Sequence, residues 1–160
     1  MTTTSCKRGA APVGIISDLD ATEAAAVVYF RMWCNGPAAQ ARVRAEFIQQ
    51  LGHAHGVRTA ETLDRLCRTC VDFGRRPLMC HSVRCTCLGA DESCFATFVA
   101  SAGDGCREDA MLIATLLVRV DMAPVLTALG TDFCLALKRM QLSAPRETAG
   151  HPNPAAPTIH

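Results

Sequence analysis

Apolar residues recur at helical spacing along most of the chain. Leu63, Leu66, Cys67, Cys70 and Val71 fall at i, i+3, i+4, i+7 and i+8, one stripe of a helix. The same reading predicts six helices, over about 18–34, 37–51, 60–73, 90–102, 106–118 and 121–140. Punctuation sets their ends. Ser17, Asp18 and Asp20 favour the first start, and Asn35-Gly36-Pro37 divides the first two helices, with Pro37 in a first turn where its missing N–H costs nothing. Thr59 is the expected cap of the third helix and Gly74 its stop. Asp121 is expected to cap the sixth, with Pro124 in its first turn and Gly130 interrupting it. The fifth is apolar on most sides (Met111, Leu112, Ile113, Leu116, Leu117, Val118) and is expected to be the most buried. Strand signals are nearly absent.

The predicted fold is therefore all-α: a compact single-domain bundle of five or six helices. A long Cys-rich loop, 74–89, is expected between the third and fourth helices. Loops of this length without regular structure are uncommon in small domains and are usually functional or disordered. Residues 1–16, rich in Thr, Gly, Ala and Pro, read as a flexible N-terminal arm. Residues 17–142 read as the helical domain, and 143–160 as a disordered Pro-rich tail.

Composition changes this picture in two ways. Aromatics are only 5% of the 160 residues, so the core must be built from Ala, Leu, Val, Met and Cys, which suits close helix packing. Ten residues are cysteine. The beginning of the chain has no apolar run of the export type, and the longest apolar stretch, 110–118, is far short of the roughly 20 residues of a membrane span. A cytoplasmic protein without a membrane partner is expected. In that compartment thiols stay reduced or hold metal rather than forming a disulfide framework. The net charge of +1 gives no global attraction to nucleic acid.

Cys67, Cys70, Cys80, His81, Cys85, Cys87 and Cys94 crowd into one stretch. Thiolate and imidazole are the ligands that zinc and other borderline or soft ions favour. Cys67 and Cys70 share a helix face, and Cys85 and Cys87 could close on the same ion from the loop, in the pattern C-x2-C-x14-C-x-C. The preferred ligand set is Cys67, Cys70, Cys85 and Cys87, with Cys80, His81 and Cys94 in reserve. Zinc is the expected ion, an iron–sulfur cluster the alternative, and no cofactor the third reading. A structural zinc supplies about 10–16 kcal/mol in small modules, enough to organise such a loop. Against this, Cys67, Cys70 and Cys94 also sit on apolar stripes, where free thiols pack as small hydrophobes. Cys6, Cys34, Cys106 and Cys134 are assigned to packing or exposure.

Arg68, Arg75, Arg76 and Arg84 form a local basic patch that could offset thiolate charge or meet an anion or partner. Nucleic acid is a disfavoured partner because aromatics for base stacking are scarce. The pair His53 and His55 reads as a solvated linker, and Asp91 and Glu92 as acids at a helix start. There is no P-loop, G-x-G-x-x-G, G-x-S-x-G or H-E-x-x-H motif, so the reading leans away from an enzyme. It favours a metal-binding regulatory or interaction protein with a protein partner. A thiol redox or sensor protein is the first alternative. A helical interaction domain with inert buried cysteines is the second.

Overall fold

Gly or Pro stands at or close to the start of every helix but the first, which begins at an Asp cap. The computed structural model describes residues 8–143, which form six α-helices and one two-stranded sheet. Helix α1 (Ala21–Cys34) starts where the Asp20 side chain accepts a hydrogen bond from the Glu23 N–H at 2.8 Å. The expected cap, Ser17, lies instead in a 3-10 turn at Ile16–Asp18. Helix α2 (Pro37–Leu51) has the predicted bounds. Helix α3 (His53–Asp72) follows after one residue, and α4 (Ala90–Gly103), α5 (Arg107–Leu117) and α6 (Ala123–Ser143) complete the bundle. The chain is all-α, as predicted.

Three expectations change. First, α3 begins seven residues early, so His53 and His55 stand on a helix rather than in a linker. Gly52 makes the turn with a φ of 82°, a conformation that side chains rarely adopt. Gly56 then meets the α2 backbone: a Cβ there would lie 2.4 Å from Ile48 Cα. The two helices thus cross backbone against backbone, and Thr59, no longer a cap, donates its hydroxyl to the His55 carbonyl at 2.8 Å.

Second, α5 is not the central helix. Its inward residues are Ala110, Ala114 and Leu117, while Leu112 and Leu116 are 67% and 65% exposed. The centre is α6, which packs against each of the other five helices through Leu126, Leu129, Phe133, Cys134, Leu137 and Met140. It runs through Gly130 without a break. Phe95, Phe98 and Val99 of α4 complete that core. The stretch Val120–Ser143 is long and apolar enough to cross a membrane by length and composition, with a mean hydropathy of 1.4 and 44% of the window buried in the protein. A core helix passes the same test. Asp121 does not cap α6; it pairs with Arg119 at 2.6 Å.

Third, a small antiparallel sheet joins β1 (Pro12–Ile15) to β2 (Cys87–Gly89), pairing Pro12 with Gly89 and Ile15 with Cys87. So the arm expected over 1–16 carries a strand; its first seven residues lie outside the described ones, as does the expected tail beyond Ser143. Between α3 and β2, residues 74–86 have little regular structure apart from the bridge of Gly74 to Val118. This segment lies over the end of α1, and the groups that hold it there make the candidate site.

Candidate functional site

Arg31 sits on the inward side of α1, one turn after Val27 and beside Phe30, and is 1% exposed. A buried guanidinium is costly unless each of its N–H groups is met. Here all five are. Nε donates to Glu92 Oε1 at 2.7 Å and Nη2 to Glu92 Oε2 at 2.9 Å, a bidentate pair. Nη1 donates to the carbonyls of Ser82 (3.1 Å) and Cys85 (2.6 Å), and Nη2 also to that of Cys87 (2.6 Å). Glu92, in the first turn of α4, accepts two further bonds at 2.8 Å, from the His81 and Gly89 amides. Burial works to raise the Glu92 carboxyl, but Arg31 and the two amides outweigh it and hold it below the usual carboxylate range. The bond to Glu92 likewise raises Arg31. No buried side-chain nitrogen or oxygen among the described residues lacks a partner.

The neighbouring acid, Asp91, does the same for the front of the loop. It accepts both Nη groups of Arg76 and the Met79 amide at 2.8 Å. The His81 ring places Nε2 3.0 Å from the Ala10 carbonyl, which makes Nε2 the protonated nitrogen and turns Nδ1 toward Cys85 Sγ at 3.8 Å. The loop is thus tied to α1, α4 and the first described residues through Arg31, Glu92, Asp91 and His81.

The sulfurs are distributed differently from the expected quartet. Cys67 and Cys70 lie on the core stripe of α3. Burial pushes the Cys67 thiol well up and that of Cys70 up to about 12, so both are protonated at neutral pH. After burial, the charges of Cys70, Asp64 and Cys80 raise Cys67 further, and Cys94 raises Cys70. Cys85 and Cys87 instead turn their carbonyls to Arg31. Among the described residues no group of three or more Cys, His, Asp or Glu side chains is arranged to hold a metal ion. Neither Cys67, Cys70, Cys85 and Cys87 nor a set drawn from Cys80, His81 and Cys94 forms one. Burial raises Cys94 and Cys134 as well.

The four arginines of the expected basic patch are mostly engaged. Arg68 pairs with Asp64 one turn earlier at 2.7 Å, Arg76 with Asp91, and Arg75 Nε donates to the Val118 carbonyl at 3.3 Å. Arg84 is exposed. An open groove of about 500 Å³ runs between α2 and α3, lined by Trp33, Pro37, Val43, Leu63 and Asp64. Both oxygens of Asp64 are already used, by Trp33 Nε1 and Arg68.

Sequence reading missed Arg31 and its pairing with Glu92, which it read as an acid at a helix start, where it does lie. The signal for Arg31 was present: a lone charge four residues after Val27 in an otherwise apolar stripe. Cys34, assigned to packing or exposure, is exposed. Compared with known proteins, the chain matches no family, no curated protein and no solved structure.

Proposed function

We propose that the chain is a protein-interaction module that docks through the outer face of α5, and that the occupant of this face is a second copy of the same chain. The observation that carries the proposal is the pair Leu112 and Leu116 on α5, 67% and 65% exposed, followed by Val120 in the next 3-10 turn, 64% exposed. The leucines are one helical turn apart on one face. Phe73 extends the strip beneath Arg119, whose guanidinium carbon is 5.8 Å from the ring centroid. Clustered exposed apolar side chains mark interaction surfaces.

Charge argues for the occupant. Arg107, Glu108 and Asp109 at the start of the row sum to −1, while Arg75, Arg119 and the Arg119 partner Asp121 at its end sum to +1. An antiparallel copy crossing at the level of Ala114 brings Leu112 opposite Leu116 and Asp109 opposite Arg119. That contact is self-complementary, as a twofold interface requires. The antiparallel arrangement also sets opposite helix ends together.

Sedimentation velocity across a concentration series tests this. A reversible dimer is expected, converted to monomer by Leu112→Glu or Leu116→Glu with the circular dichroism spectrum unchanged. Asp109→Arg should weaken it, and Asp109→Arg with Arg119→Glu should restore it. A wild-type chain that stays monomeric at its highest soluble concentration, or a dimer that survives both leucine changes, overturns the proposal.

A further inference from the structure

Away from the loop and from α5, two helices bring unpaired cations together. Positions 55, 58, 62 and 65 share one face of α3, and positions 132, 135, 136 and 139 share one face of α6. These two faces line a hollow of about 390 Å³, a size that suits a small ligand. Its charge is uneven. Arg58, Arg65 and Arg139 line it against a single carboxylate, Asp132. The ion pairs among the described residues engage Arg31, Arg68, Arg76, Arg119 and Lys138, and none of these three arginines. All three are exposed, so a ligand reaches them from solvent. Like charges gathered about one hollow repel each other, and an anion placed among them relieves that repulsion.

We propose that this hollow binds the phosphate chain of a di- or triphosphate, free or as an organic ester. The guanidinium fork offers paired N–H groups that match phosphate oxygens. Arg58 and Arg65 stand seven residues apart on α3, about 10 Å along the axis at the helical rise. A single phosphate meets both only by drawing the two like charges together. A chain of two or three phosphates meets each where it stands, and Arg139 closes on it from α6. His55, on the same wall, adds a ring nitrogen. Leu135, 48% exposed, gives an organic body an apolar surface beside the charges. Asp132 opposes an anion and so sets a limit on how tightly one is held. The site is separate from α5, so it stands or falls independently of the dimer.

Isothermal titration calorimetry of the full chain with sodium tripolyphosphate at low salt tests this. Binding at one site per chain is expected, weakening as salt is added. Sulfate at matched ionic strength should bind at least roughly tenfold more weakly, since it reaches fewer of the charges. Arg58→Ala and Arg139→Ala should each weaken tripolyphosphate by roughly tenfold, the size of one charge-assisted hydrogen bond. Asp132→Asn should tighten it, and Arg42→Ala, at an exposed α2 position outside the hollow, should leave it unchanged. Tripolyphosphate should also shield His55, but not the exposed His53, from diethyl pyrocarbonate. Tighter binding of a nucleoside triphosphate than of tripolyphosphate assigns the site to an ester seated on Leu135, and equal binding assigns it to the inorganic chain. Both support the proposal. No binding at low salt overturns it. So does sulfate binding as tight as tripolyphosphate, an equal loss in Arg42→Ala, or preference for a single-stranded oligonucleotide, which would make the groove a nucleic-acid track. The wild-type comparison with sulfate and the shielding of His55 decide the matter even if a variant fails to fold.

Discussion

Arg31 is 1% exposed and Leu112 is 67% exposed: the protein keeps a guanidinium from water and shows water a leucine. Each inverts the usual distribution, and they do so for opposite reasons. Every donor of Arg31 is met inside the chain, so the buried charge is closed upon itself and serves the fold. Leu112 and Leu116 stay about two-thirds exposed among the described residues, so their further burial is left to another molecule. The general lesson is that an out-of-place side chain points to function only after its partners have been counted. A satisfied one is architecture, and an unsatisfied one is a surface.

The comparison breaks most readily at Arg31. Replacing it by Ala leaves the Glu92 carboxylate buried without its ion pair and frees three loop carbonyls, so urea unfolding should show a loss of about 3–5 kcal/mol. If stability is nearly unchanged, the hub does not hold the loop. Acid sharpens the same point. The Glu92 carboxyl is held below its ordinary value in the folded chain, so the unfolded chain binds the proton more readily. The stabilisation is complete above the ordinary glutamate pKa of about 4.3 and is lost as pH falls through the lower folded value. In Glu92→Gln that acid-dependent part should vanish from the stability profile.

On the other side of the comparison, Leu112→Glu should cost the dimer about 2 kcal/mol of association free energy or more, the size of an interface hot spot. It should leave the unfolding of the monomer within about 0.5 kcal/mol, as surface changes do. A large loss of monomer stability would mean that Leu112 is part of the core. The smallest effect belongs to Arg76. Its guanidinium is half exposed while its partner Asp91 is buried, and solvent screens the pair. Arg76→Ala should cost about 1 kcal/mol or less in the same unfolding assay, with hydrogen exchange quickening at the Met79 amide.

How much of this was legible along the chain differs by region. Helix α2 was readable at both ends because Pro37 and Gly52 bracket it. The first two turns of α3 were not, since His53-Ala54-His55-Gly56 has no apolar stripe and its helicity rests on the approach of Gly56 to Ile48. In α5 the large side chains misled. Periodicity counts apolar mass, yet the core takes the small Ala110 and Ala114 with Leu117 and leaves Leu112 and Leu116 outside. The stripe reading of Cys67 and Cys70 corresponds to their place in the core. What no local pattern could supply was Arg31 with Glu92, because the two are 61 positions apart and neither belongs to a motif.

Arg31 grips the loop by main-chain oxygens, at Ser82, Cys85 and Cys87, and every residue type offers that atom. The hold is therefore blind to side-chain identity. Positions 82, 85 and 87 are free to drift in evolution while the loop keeps its path, whereas the anchor itself has no such latitude: a lysine at position 31 lacks the fork that serves three carbonyls and a carboxylate at once.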